Sequence, residues 1–319
     1  MLKIRDWVDI NKIEWQALCL RITNMDLLKN NKINWFSLSS NPNAVELLKI
    51  NQDKINWNYL SNNSNAISLL KENQNKINWF NLSSNPNAIE LLKENQNKIC
   101  WKILSLNPNA IELLKNNIDK IDWSNLSENP NPNAMSILKE NQDKIDWEKL
   151  SSNKNKNAIE LLKQNEKKIN WNELSINPNA IELLKVNKDK IDWVNLSANT
   201  NAISLLKENQ DKINWDYLSF NKNAMSILKE NKNKINWNYL SLNPNAIELL
   251  KENQDKIDWW YFSQNSNIFT YNYKQMKENM KNSGIVEELM AFIFHPKNMN
   301  KWIDWGFSEH QEIMEFMNT

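Results

Sequence analysis

Polar and apolar positions alternate in a block that recurs along most of the chain, as in WNYLSLNPNAIELL from Trp237 to Leu250. Two apolar spacings stand side by side in each block. Ala88, Ile89, Leu91 and Leu92 cluster at separations of three and four and predict a helix of about two and a half turns, ending before Asn95. Trp101 and Leu104, one turn apart in W-x-x-L, predict a second and shorter helix, either α or 3-10. These are helix A and helix B below.

The polar residues supply the starts. In N-P-N-A-I-E, Asn85 can cap helix A with Pro86 in the first helical position, or Asn87 can cap it with Glu90 closing a capping box. An Asp, Asn or Glu precedes the tryptophan in most units and suits the N-cap of helix B. Isolated helices this short are marginal in water, so each unit must be covered by the next. The predicted fold is therefore all-α: an α-solenoid of tandem two-helix repeats with a cap at each end.

Aligning on K-I-x-W places tryptophans at Trp15, Trp35, Trp57, Trp79, Trp101, Trp123, Trp147, Trp171, Trp193, Trp215, Trp237 and Trp259. Most steps are 22 residues; the first is 20, and two consecutive steps of 24 end at Trp147 and Trp171. There the loops read NPNPNAM and NKNKNAI, as if a dipeptide had been doubled where extra length is tolerated. Burying each indole is expected to supply much of the core. About eleven repeats stacked at about 9–10 Å predict an elongated body on the order of 100 Å.

The W-x-x-L-S-x-N-P-N-A-x-x-L-L core, from about Trp15 to Asn265, resembles short tandem repeats in proteins of giant DNA viruses that infect amoebae, the mimivirus relatives. It is also similar to leucine-rich variant repeats, which pair an α-helix with a 3-10 helix and share an N-P-N turn. The Asn-, Lys- and Ile-heavy composition is similar to proteins from A+T-rich genomes of that viral kind. The resemblance implies a repeat protein acting in the host cell or carried in the virion, and it brings no known reaction.

Outside the repeat, residues 1–14 are expected to form an N-terminal cap, residues 15–265 the solenoid, and residues 266–319 a helical C-terminal cap. The tail predicts one helix around Asn272–Lys281, another at Ile285–Phe294, and short helices before Gly306 and after Ser308. The first residues offer no signal-peptide core and no run approaches a membrane span, so the expected setting is soluble and cytoplasmic.

Composition narrows the function. Lys plus Arg (39) nearly cancels Asp plus Glu (38), which argues against whole-length binding to nucleic acid. With two glycines in 319 residues, phosphate-cradling loops are absent and nucleotide hydrolysis has no support. His295 and His310 have no metal-pair spacing, and Cys19 and Cys100 read as free thiols. The sequence therefore predicts no enzyme, cofactor or metal. The repeated Ser and Asn columns, such as Ser83 and Asn85, read as side chains that satisfy backbone groups in successive turns.

Two columns could meet a partner. The lysines of K-I-x-W, Lys12 to Lys256, could track single-stranded nucleic acid, or could snorkel over tryptophan and pair with neighbouring acids. The other column varies, at the two residues after tryptophan and the one after serine. It holds Tyr59, Phe80, Ile103, Leu106, Ile176, Val194, Tyr217, Phe220, Tyr239, Leu242, Trp260 and Tyr261, densest in the C-terminal half. Aromatic and aliphatic side chains of this kind anchor protein interfaces, so a protein partner is the leading expectation, with drifted surface or satellite core contacts as the bland alternative. A self-assembling rod, with the strip against a second copy, is the third.

Overall fold

The computed structural model describes residues 2–22, 25–28 and 33–284. His295, His310, Gly306 and the helices expected from Ile285 onward lie outside them. The chain divides into two compact units, one of Arg5–Ile268 and one that joins Leu2–Ile4 to Phe269 and the residues after it.

In Arg5–Ile268 the local elements follow from their caps. Neither expected cap sits on helix A itself: Ile89–Glu94 starts at Ala88 without a side-chain cap. Asn85 Oδ1 accepts the Asn87 N–H at 3.0 Å in the turn before it, a bond that at Asn41 and Asn243 caps a 3-10 turn with proline in its first position. Asn87 itself caps nothing. Its Nδ2 donates to the Ser64 carbonyl of the preceding unit at 2.9 Å, and Glu90 pairs with Lys93 at 2.8 Å. The polar loop that follows is a 3-10 turn, as at Gln96–Lys98, after which Ile99 is extended. Helix B is α in form, as at Trp79–Ser84, with Asn78 Oδ1 accepting the Asn81 N–H at 3.0 Å. Fold class is thus as expected, an all-α solenoid of two-helix units.

The core is aliphatic. In the unit that starts at Trp79, Leu82, Ala88, Leu91, Leu92 and Ile99 are all 8% exposed or less. The tryptophans correct an expectation: every one in K-I-x-W is only half-buried. One face of the ring packs inward, and the other is covered by the lysine of the next unit, as where Lys76 Nζ lies 4.5 Å from the Trp57 ring centroid.

Each junction between units repeats one set of bonds. Ser61 Oγ donates to the Trp57 carbonyl at 2.7 Å and accepts the Asn78 N–H of the next unit at 2.9 Å. Asn85 Nδ2 reaches back to the carbonyls of Ser61 and Asn63 at 3.1 and 3.0 Å. Both side chains are fully buried. The two longer loops leave this set intact: Asn153 Nδ2 still reaches Ser127 and Asn129, at 2.8 and 3.1 Å, and the extra residues lengthen helix A to Lys156–Lys163.

The expected rod does not form, because the last unit uses the same bonds on the first. Ser263 Oγ donates to the Trp259 carbonyl at 2.6 Å and accepts the Glu14 N–H at 2.9 Å, and Lys12 Nζ sits 5.4 Å from the Trp259 ring centroid. The first unit continues normally into the second, where Asn41 Nδ2 donates to the Cys19 and Ile22 carbonyls at 3.0 and 2.8 Å. The stack is therefore closed, twelve layers in a ring. Residues 10–14, expected within a cap, instead supply the 3-10 turn Ile10–Lys12 and the K-I-x segment of the first layer. Trp7 packs on Phe262 at 5.5 Å and the Arg5 N–H donates to the Ile268 carbonyl at 3.1 Å, which finishes the seam.

Curvature explains closure. Successive B helices pack directly on one another at most junctions, whereas A helices approach closely only at Ala134–Glu140 and Lys156–Lys163. Each layer is thus a wedge with helix B at its narrow end, and twelve wedges share a full turn at about 30° each. The B layer faces inward.

In the other unit, Leu2–Ile4 pairs antiparallel with Phe269–Tyr271, Leu2 opposite Tyr271, a departure from the helical cap expected there. The alternating apolar residues of L-K-I and F-T-Y favour strand over helix. Tyr273–Asn282 is the helix expected near Asn272, capped by Asn272 on the Gln275 N–H at 3.2 Å, and Gly284 at φ 71° follows its end.

Two measurements check this architecture. For a fragment of residues 5–268, small-angle scattering should give a radius of gyration of roughly 20 Å, close to compact-chain scaling. An open rod of twelve such layers would exceed roughly 30 Å. In urea unfolding of the full chain, Asn177→Ala should cost about 2–4 kcal/mol, since it strips the Ser151 and Asn153 carbonyls of their donor. Asn172→Ala, exposed on helix B, should cost less than about 0.5 kcal/mol.

Candidate partner-binding surface

Helix B fixes where the variable positions point. In W-x-x-L-S, the leucine enters the core and the serine bonds across the junction, so the residues two and five after tryptophan share the remaining face, one turn apart. Nine of the twelve singled-out residues are exposed: Tyr59, Phe80, Leu106, Ile176, Val194, Tyr217, Phe220, Tyr239 and Trp260. Ile103, Leu242 and Tyr261 are half-buried.

Five of them converge. Tyr217, Phe220, Tyr239, Leu242 and Tyr261 line, with Asp216, an open cavity of about 360 Å³ across three successive B helices. The Tyr239 and Tyr261 rings are 6.1 Å apart, and Trp260 meets Tyr261 edge-on at 5.0 Å. Asp216 is held at the rim by Asn236 Nδ2 at 2.8 Å. The remaining six, Tyr59, Phe80, Ile103, Leu106, Ile176 and Val194, line none of this cavity. Tyr59 instead meets Phe36 at a 50° tilt, with ring centroids 4.1 Å apart. Elsewhere along the same strip the face is ionic: Lys149 Nζ lies 3.3 Å from Glu128, and the hydrogen-bonded carboxylate raises the lysine pKa.

A second cavity, of about 290 Å³, opens on the other side of Phe220 and Leu242. Arg21, Ala198, Thr200, Asn221, Lys222, Pro244 and Ser266 complete its wall. Of these, Thr200, Lys222, Pro244 and Ser266 escaped the sequence reading because it followed only the positions one, two and five after tryptophan. They occupy the seventh position, which varies as freely and was the available signal. Arg21 had none, since only closure of the ring brings the first layer beside the last.

The lysine column covers tryptophan as the snorkelling alternative expects, but the other half of that alternative, pairing with acids of neighbouring units, is not seen among the described residues. From Lys76 to Lys256 each ammonium lies 4.5–4.7 Å from the centroid of the tryptophan in the preceding layer. Lys54 pairs with Asp53 at 3.4 Å. Among the described residues, no three His, Cys, Asp or Glu side chains group to hold a metal, and no helix is long and apolar enough to cross a membrane. No model of a protein family, no curated protein and no solved structure matches this chain.

Both cysteines are free, in different settings. Cys19 replaces the junction serine of the first layer and is buried. Burial pushes its thiol above the ordinary value, and the Asn34 backbone N–H pulls partly back. Cys100, before Trp101, is half-buried. With a thiol reagent at pH 8, native protein should therefore show one accessible thiol, Cys100. Cys19, buried and with less thiolate at that pH, should react only after denaturation, as peptide mapping would show.

Proposed function

We propose that this chain is a non-enzymatic scaffold for protein–protein interaction, viral in origin, and acting in the host cell or carried in the virion. The cluster of Tyr217, Phe220, Tyr239, Leu242 and Tyr261 around one open cavity carries the reading. Large side chains with few rotatable bonds, exposed in a concave setting, are the anchors that give interfaces their affinity. The ring supports it by holding these anchors on a stacked scaffold, so little ordering entropy opposes binding. The likeness of the repeat to those of giant-virus proteins supports the viral setting.

The single-stranded nucleic-acid reading loses its main support, because the lysine column is engaged with tryptophan rather than held out as a row. No observation favours it over the protein reading.

Affinity capture from host and infected-cell lysates tests the proposal. Wild-type protein should retain specific proteins, and the variant with Tyr217→Ala, Phe220→Ala, Tyr239→Ala and Leu242→Ala should lose them while keeping its far-ultraviolet circular dichroism. Capture of the same proteins by the folded variant would move the interface elsewhere.

A further inference from the structure

The two cavities on either side of Phe220 and Leu242 differ in character. One is walled by Tyr217, Tyr239 and Tyr261, with a single charge, the Asp216 carboxylate, at its rim. The other holds two cations, Arg21 and Lys222, two hydroxyls, Thr200 and Ser266, and no carboxylate. Arg21 spends one of its N–H donors on the Gln264 carbonyl at 2.9 Å, and among the described residues neither it nor Lys222 forms an ion pair.

We propose that this double cavity binds an acidic peptide in extended form, an inference that rests on the protein-interaction reading of the same surface. An aromatic or aliphatic side chain enters between the tyrosines, and a carboxylate a few residues away meets Arg21 and Lys222. Charge complementarity selects this occupant. A guanidinium and an ammonium set in one concave surface concentrate positive potential, and the arginine fork offers a carboxylate paired hydrogen bonds. Asp216 at the opposite end repels a misplaced acid, which fixes the direction of the peptide.

A free inorganic anion would leave Phe220, Leu242 and the tyrosines uncovered. A purely apolar group would leave both cations without a counter-charge. A peptide satisfies both ends, and its backbone amides can bond the tyrosine, threonine and serine hydroxyls along the way. Because Arg21 belongs to the first layer and its fellow lining residues to the ninth through twelfth, the site exists only when the ring is closed.

Selection of a displayed random nonapeptide library against the full-length chain, followed by anisotropy titration of the enriched peptides, tests this. The expected result is a motif with Asp or Glu within about four residues of Phe, Tyr, Leu or Ile. Its affinity should fall at least about tenfold in Lys222→Glu, and several-fold on raising salt from about 50 to 300 mM, as screening of a charge pair requires. Lys222 takes no part in the seam, so this variant keeps the ring; Arg21→Gln, checked for retained scattering radius, should act in the same direction. Tyr239→Ala should weaken binding without changing its salt dependence. No enrichment, or motifs without an acid, would overturn the inference, as would binding that Lys222→Glu leaves unchanged. An enriched non-acidic motif that still needs Tyr217 and Tyr239 would remove the acidic peptide while leaving the interaction surface standing.

Discussion

At the bend between helix B and helix A the buried asparagine amide of the next layer donates to two backbone carbonyls, as Asn85 does to Ser61, whose donor it is, and to Asn63, which also accepts the Ala66 N–H at 3.1 Å. Its Oδ1 at the same time accepts the Asn87 N–H in the turn that leads into its own helix A. A carbonyl left dry costs about 1–3 kcal/mol, so the column from Asn41 to Asn265 joins capping within a layer to bonding between layers. Leucine packing alone would permit a layer to slide or tilt. The asparagine and the junction serine permit one register, which is why a single block of sequence is written again and again with these two positions held.

A strict register has a consequence for shape. When every junction imposes the same wedge, small rotations add without cancelling, and the stack must either wind past itself or meet its own start. Here it meets. The seam is chemically a modified junction: Ser263 receives Glu14 as any serine receives the next layer, but Arg21 stands where the column would place an asparagine. The longer contact of Lys12 with Trp259, 5.4 Å against 4.6 Å at Lys256 and Trp237, marks the looser fit. A ring has no exposed end layers, so the apolar faces that an open solenoid must cover with caps are covered by each other.

The helices, their order, the compulsory stacking and the roles of the Ser and Asn columns were legible in the sequence, because each rests on local spacing. Closure was not. It depends on the summed rotation of twelve layers, a quantity that a repeat of 22 residues does not display, and it turned the segment Ile10–Glu14 from an expected cap into part of a layer. Burial of the indoles was overestimated for a related reason, since Lys76 covers Trp57 from the neighbouring layer and leaves the ring half in water. The 3-10 turns such as Gln96–Lys98 were hidden by an all-polar composition that reads as loop. On the candidate surface, Tyr217, Phe220, Tyr239 and Leu242 could be seen as variable and large, but Arg21 and Lys222 could not be seen as their neighbours.

The division of labour within helix B explains why recognition can collect on one arc. With Leu218 in the core and Ser219 on the junction, Tyr217 and Phe220 are left exposed, as is Tyr239 beside Leu240 and Ser241, while Leu242 is half-buried. Substitution there costs the scaffold little, so different layers can carry different chemistry: an ion pair at Lys149 and Glu128, a tilted ring pair at Phe36 and Tyr59, aromatic walls near Tyr239. Inward curvature then does what a flat array could not. It tilts the outer atoms of neighbouring B helices toward each other, so that side chains from three to five layers bound one cavity, and a residue from the first layer completes a wall built by the last four. The repetition and the ring are thus a single device: identical junctions set the curvature, and the curvature turns scattered variable positions into a shared site.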